Sequence, residues 1–189
     1  MSALITRRRF TVEVYHRMIE CGAFLEDDRV ELLDGEIIEM SPIGTEHAAA
    51  VKNLNRWAFE SLGRRVTVGV QDPIVIGERS EPQPDVTILK YRKDSYKGRL
   101  PEPDDVLLVV EVADTSEEYD RDIKLPHYAR AGIREALLVV IPSEVLELHS
   151  SPSRGRYRRV KRFRRGQSLH PSLLPDVEMS VDEILGPKS

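Results

Sequence analysis

A chain of 189 residues, 40% of them hydrophobic and with a net charge of -4, has the size and composition of one ordinary folded domain, and disorder is not its first reading. Its one cysteine, Cys21, excludes an internal disulfide and fits a reducing compartment, so a cytoplasmic protein is expected. No run approaches the roughly 20 apolar residues of a membrane span, and Arg7-Arg8-Arg9 leads into Glu13, His16 and Arg17 rather than the apolar core of a signal peptide. The charge is unevenly placed. Residues 154–165 carry eight Lys or Arg and no acid, leaving 20 basic against 32 acidic residues elsewhere. An acidic body repels phosphate backbones, so a nucleic-acid ligand would need that segment or bound metal ions to attract it.

Thr11 can cap an amphipathic helix to Cys21 with Val14, Met18 and Tyr15 inward. Residues 29–40 read as two strands joined by Asp34-Gly35, the pair that a type I′ hairpin favours. Thr45 opens a helix to about Leu62, with Ala50, Leu54, Trp57 or Ala58 and Leu62 on one stripe and Gly63 at its end. Strands follow at 66–70 and 86–89, the second entered through Pro84-Asp85, and the charged residues 91–105 read as an exposed connection. Val106 to Ala113 has seven apolar residues in eight, four of them valine, and predicts a central strand buried on both faces. A helix to Gly132 and a strand at 134–141 complete a right-handed parallel crossover. Pro126 should kink that helix near Asp122 or delay its start. Strands at 145–149 and 156–163 pair across a turn at 153–155, and Ser180 with Glu183 suggests a capping box for a short last helix.

Glu111 is the residue out of place. A carboxylate inside the central strand loses its hydration at a cost of several kcal/mol unless a cation or donors meet it. Lys124, on the following helix with Asp120 and Tyr128 at four-residue spacings, is a candidate partner, although most helix lysines are solvated. Asp85 with Glu111 would suit Mg2+ or Mn2+, with the backbone carbonyl of Val112 as a further ligand; alone, Asp85 reads equally as a turn residue. Glu31 sits among apolar neighbours, with an ion pair to Arg29 or to a basic residue elsewhere as its simpler role. His47, in a helix first turn, is an auxiliary candidate, and Asp120 and Asp122 read as helix N-terminal acids. Arg156, Arg158, Arg159, Lys161 and Arg162 are interleaved with Tyr157 and Phe163, which suits a nucleic-acid backbone and equally a charged, aggregation-resistant edge strand. There is no P-loop, no dinucleotide fingerprint and no zinc-type grouping of Cys and His.

Pro84-Asp85, Glu111-Val112-Ala113 and Lys124 resemble the motif of the PD-(D/E)XK nuclease superfamily. More narrowly, residues 30–38, 83–85, 111–116, 119–126 and 128–132 resemble the Uma family, described as putative restriction endonucleases. The resemblance implies a single restriction-endonuclease-like α/β domain over residues 1–189, with a mixed central sheet, flanking helices and an N-terminal helix plus β-hairpin. It also implies a Mg2+- or Mn2+-dependent endonuclease acting on DNA, with Glu31, Asp85, Glu111 and Lys124 in the catalytic roles, and it is compatible with a homodimer. In the parent motif the lysine stands two residues after the glutamate, where this chain has Ala113, so Lys124 must reach the same space from the helix. The rivals are a nucleic-acid-binding module of the same fold without activity, in which the basic strand matters more than the acids, and an assembly protein that dimerises through a sheet edge.

Overall fold

The computed structural model describes residues 7–25 and 27–188. Its centre is a six-stranded sheet of β3 (Val66–Val70), β4 (Val86–Lys90), β5 (Val106–Ala113), β6 (Glu135–Val140), β7 (Val145–Ser153) and β8 (Arg156–Arg164), neighbours in that order. Only β5 and β6 are parallel, because the segment joining them crosses over one face of the sheet. The valine-rich run is thus the third of six strands, as its buried pattern predicts.

Side chains of β5 alternate between two cores. Leu108, Val110 and Val112 pack beneath helix α2 (Thr45–Leu62), whose inner stripe includes Leu54, Trp57 and Ala58. Val109 and Ala113 face the other way, toward Leu125 and Tyr128 of α4 (Leu125–Arg130). By the same parity Glu111 points toward α4.

The chain reaches α4 through a short α3 (Glu117–Tyr119) and a π-turn at Asp120–Lys124, in which the Leu125 N–H donates to the Asp120 carbonyl. Pro126 explains the widening. It has no N–H to give, and in a regular α-helix its ring would press on the carbonyl of Asp122. The expected kink is therefore a π-turn.

Ahead of the sheet lie α1 (Val12–Glu20), capped by Thr11, and the hairpin of β1 (Val30–Leu33) and β2 (Glu36–Glu39). Within α1 only Tyr15 is buried, donating its hydroxyl to the Val30 carbonyl at 3.1 Å. The hairpin turn has Asp34 and Gly35 at φ 47° and 79°, the left-handed pair expected of a type I′ turn. A Cβ on Gly35 would lie 2.7 Å from the Arg9 Cβ and 2.8 Å from the Phe10 carbonyl. Gly35→Ala combines that overlap with a strained φ, and urea denaturation should show a loss of about 2 kcal/mol or more.

Two local expectations are corrected. Residues 91–105 are not wholly exposed, since Tyr96 is buried, bonds the Lys90 carbonyl at 2.8 Å, and lies under the guanidinium groups of Arg92 and Arg99. Arginine stems and heads cover an aromatic ring without losing water, so a charged stretch can hide one. No side-chain cap forms at Ser180 ahead of α5 (Val181–Leu185), although the Val181 N–H at the helix start is satisfied by the Gln167 carbonyl at 3.0 Å.

Candidate active site

Strands β4 and β5 are paired from Leu89 and Val106 to Val86 and Val110. Beyond that last rung the Asp85 side chain takes over, and its Oδ2 accepts the Val112 N–H at 2.8 Å. The Ala113 carbonyl accepts from Ile141 on the β6 side, so strand alternation turns the polar groups of Val112, its carbonyl included, toward Asp85. Oδ1 of Asp85 lies 3.0 Å from His47 Nε2, supplied by the first turn of α2, and 3.3 Å from Gln71 Nε2. Burial pushes the Asp85 carboxyl up, but His47, Lys124 and the Val112 N–H outweigh it and hold the group below its ordinary value. His47 Nδ1 is buried with no hydrogen-bond partner among the described residues.

Glu111, 2% exposed, meets the cation that its burial demands. Lys124 Nζ lies 2.8 Å from its Oε1, and the Tyr128 hydroxyl donates to the same oxygen. The ammonium also lies 3.5 Å from Glu31 Oε2 and 3.3 Å from the Gln83 carbonyl. Glu31 is fully buried and accepts from the Tyr119 hydroxyl at 2.8 Å and from the Gln83 N–H at 2.9 Å. Of the two basic partners expected for it, Arg29 or a residue elsewhere, it is the second that is found: Lys124, not Arg29, pairs with Glu31.

Asp120 corrects a second expectation. It is buried, not a solvated helix-start acid like the exposed Asp122, and its Oδ2 accepts from Ser116 Oγ at 2.6 Å. The π-turn puts Asp120, Lys124 and Tyr128 on the side that faces Glu111. Burial pushes Asp120 up to about 6, with Lys124 and Ser116 opposing. Burial also pushes Glu111 well above its ordinary value; Lys124 offsets this only in part, while Asp120 and Asp85 add to it. Lys124 is raised despite its own burial, because Glu111, Glu31 and Asp120 surround it.

Glu31, Asp85, Glu111, Lys124, His47 and Asp120 line one cleft of about 260 Å³. The three acids and the lysine singled out from the sequence, Glu31, Asp85, Glu111 and Lys124, thus converge here, and Asp120 joins them. Gln83, Tyr119, Tyr128 and Asp120 were not candidates. The four-residue spacing of Asp120, Lys124 and Tyr128 was the available signal, whereas nothing local marks the contacts of Gln83 and Tyr119 to Glu31. Among the described residues no three His, Cys, Asp or Glu side chains form a group that could hold a metal ion. An ion at Asp85 and Glu111 would need backbone and water oxygens as well, a shell that Mg2+ prefers.

The basic strand is not brought to this cleft. None of Arg156, Arg158, Arg159, Lys161 and Arg162 lines it, and Arg162 Nε instead bonds the buried Glu147 at 2.8 Å. Burial raises Glu147, but Arg162 and Arg121 hold it below its ordinary value. The other four cations are exposed on β8, which is an edge of the sheet.

This sheet order, with its parallel β5–β6 crossover and flanking helices, defines a restriction-endonuclease-like α/β fold. The chain belongs to the Uma2 family, described as "putative restriction endonuclease", whose model matches residues 12–182. Among solved structures the chain is similar to a crystal structure described as a putative nuclease of the DUF820 group from Anabaena variabilis. The TM-score is 0.71 at 12% identity, over 89% of this chain and 96% of that one, a likeness of fold. Comparison with curated proteins finds no match. Among the described residues no helix is long and apolar enough to cross a membrane.

Proposed function

We propose that the cleft hydrolyses phosphodiester bonds in DNA with Mg2+ or Mn2+, as an endonuclease of the cytoplasm. The observation that carries this reading is the excess of acid in one cleft: four carboxyl groups, on the buried Glu31, Glu111 and Asp120 and on the partly exposed Asp85, line it with one ammonium, that of Lys124. Buried acids in such excess call for a further cation. Asp85 and Glu111, with the Val112 carbonyl, are hard oxygen donors suited to a divalent ion. Such an ion supplies Lewis-acid polarisation of the scissile phosphate and a more acidic bound water.

The protein's own groups do the rest. His47 and the Val112 N–H fix the Asp85 carboxylate, and Tyr128 and Lys124 fix Glu111. The contacts of Lys124 to Glu31 and Gln83, at 3.5 and 3.3 Å, are long enough to yield to a water. Lys124 orients that water for attack and offsets charge that develops at phosphorus, and Glu31 holds Lys124 in place. The exposed cations of β8 give duplex DNA a second, sequence-independent hold, and a homodimer would offer one cleft to each strand.

Plasmid cleavage in Mg2+ or Mn2+ tests the reading. The wild type should nick and linearise DNA, and Glu111→Gln and Asp85→Asn should be about 100-fold slower or worse. Equal rates in all three proteins would place the activity elsewhere. Neutralising Arg156, Arg158, Arg159 and Lys161 together should weaken DNA binding with a shallower salt dependence; binding that collapses in that variant, with no cleavage by the wild type in either ion, would favour the inactive binding module.

A further inference from the structure

The proposed chemistry leaves one cation of the cleft without a task. Arg29 lines the cleft beside Glu31, two residues along the same chain, so both side chains leave the hairpin on one face. Its place is well fixed: the Arg29 carbonyl accepts the Met40 N–H at 2.8 Å, extending the hairpin by one rung, and NH1 donates to the Ser41 carbonyl at 2.9 Å. That carbonyl belongs to the link between β2 and α2. Because Lys124 has taken Glu31, Arg29 has no ion pair with any described carboxylate, and most of its five N–H donors are unassigned.

Lys124 and Arg29 are complementary. Lys124 is buried, with Glu111, Glu31 and Gln83 around its ammonium, and can serve the reacting centre but not the phosphates that flank it. Arg29 is half-buried at the mouth, with a planar fork that matches phosphate oxygens. We propose that Arg29 binds a backbone phosphate of the nucleic-acid substrate next to the scissile one and so sets the register of the strand over Asp85 and Glu111. This rests on the phosphodiesterase reading of the cleft.

Binding and cleavage are measured separately. In a Glu111→Gln background, association with a labelled duplex is followed by fluorescence anisotropy across a salt series. Adding Arg29→Met should weaken binding roughly tenfold and reduce the slope of log K against log salt by about one phosphate contact, whereas Arg29→Lys should keep the slope. In the otherwise native protein, Arg29→Met should raise KM with kcat changed only a few-fold, and Mn2+ binding should be unaltered. A structural role through the Ser41 contact would not follow charge in this way. An unchanged slope and KM in Arg29→Met, with the wild type cleaving, overturns the Arg29 assignment alone. A shifted slope in a protein that cleaves nothing supports Arg29 and overturns the hydrolase. Absence of nucleic-acid binding by the wild type overturns both.

Discussion

Replacing Lys124 with methionine is expected to destabilise the protein by about 3–5 kcal/mol at neutral pH and to abolish cleavage. The ammonium is the cation shared by Glu111 and Glu31, and both acids are at most 2% exposed. Removing one partner of a buried charge cluster leaves the others uncompensated. Methionine fills the space of the lysine stem, so little of the loss would come from a cavity. Without Lys124 the acids can only take up protons, and holding one carboxyl neutral at pH 7 against an ordinary value near 4.3 costs roughly 3–4 kcal/mol. The penalty should therefore shrink at lower pH, where those protons are available. Urea denaturation at pH 8 and pH 5 measures it. A loss below about 1 kcal/mol at pH 8 would mean that the ammonium is solvated in solution, and the cleft would have to be redrawn.

Asp120→Asn should do the opposite. The Asp120 carboxyl is buried and pushed up to about 6 from an ordinary 3.8, so between those values the folded chain binds a proton that the unfolded chain has lost. Stability then falls as pH rises through that window, by about 3 kcal/mol in total, and stays at the lower level above it. Asparagine has no charge to bury and can still accept the Ser116 hydroxyl. In the absence of divalent ions the variant should match the wild type near pH 4, gain on it between pH 4 and 6, and remain about 2–3 kcal/mol more stable at pH 7 to 8. Urea midpoints across that series decide the matter, and a constant difference at every pH would rule out the buried acid as its source. A residue whose charge weakens the fold belongs to a working cleft, and the same substitution should slow cleavage.

Most of the architecture was legible because it follows from periodicity and punctuation. The valine-rich run, the Asp-Gly turn and the stripe of α2 each specify a local geometry that the tertiary packing reinforces. Glu111 was legible for a different reason, since a carboxylate in such a strand implies a cation nearby, and the helix expected to pack on that strand carries Lys124. Asp120 was misread because its sequence context, an acid early in a helix, is that of a solvated dipole partner. Its four-residue spacing from Lys124 already put it on the face of that lysine and of Tyr128, but only the packing of this face against β5 shows that the acid is buried with them.

The sequence by itself determined the order of elements, the burial of Glu111 and its need for a positive neighbour, all of which depend on residues within a turn or a strand of each other. Only the tertiary structure decided that Glu31 pairs with Lys124 rather than Arg29, that Asp120 turns inward, and that the β8 cations lie away from the cleft. Those choices are between chemically equivalent partners, and the docking of the π-turn helix over β5 settles them by bringing one into hydrogen-bonding distance and leaving the other at the rim.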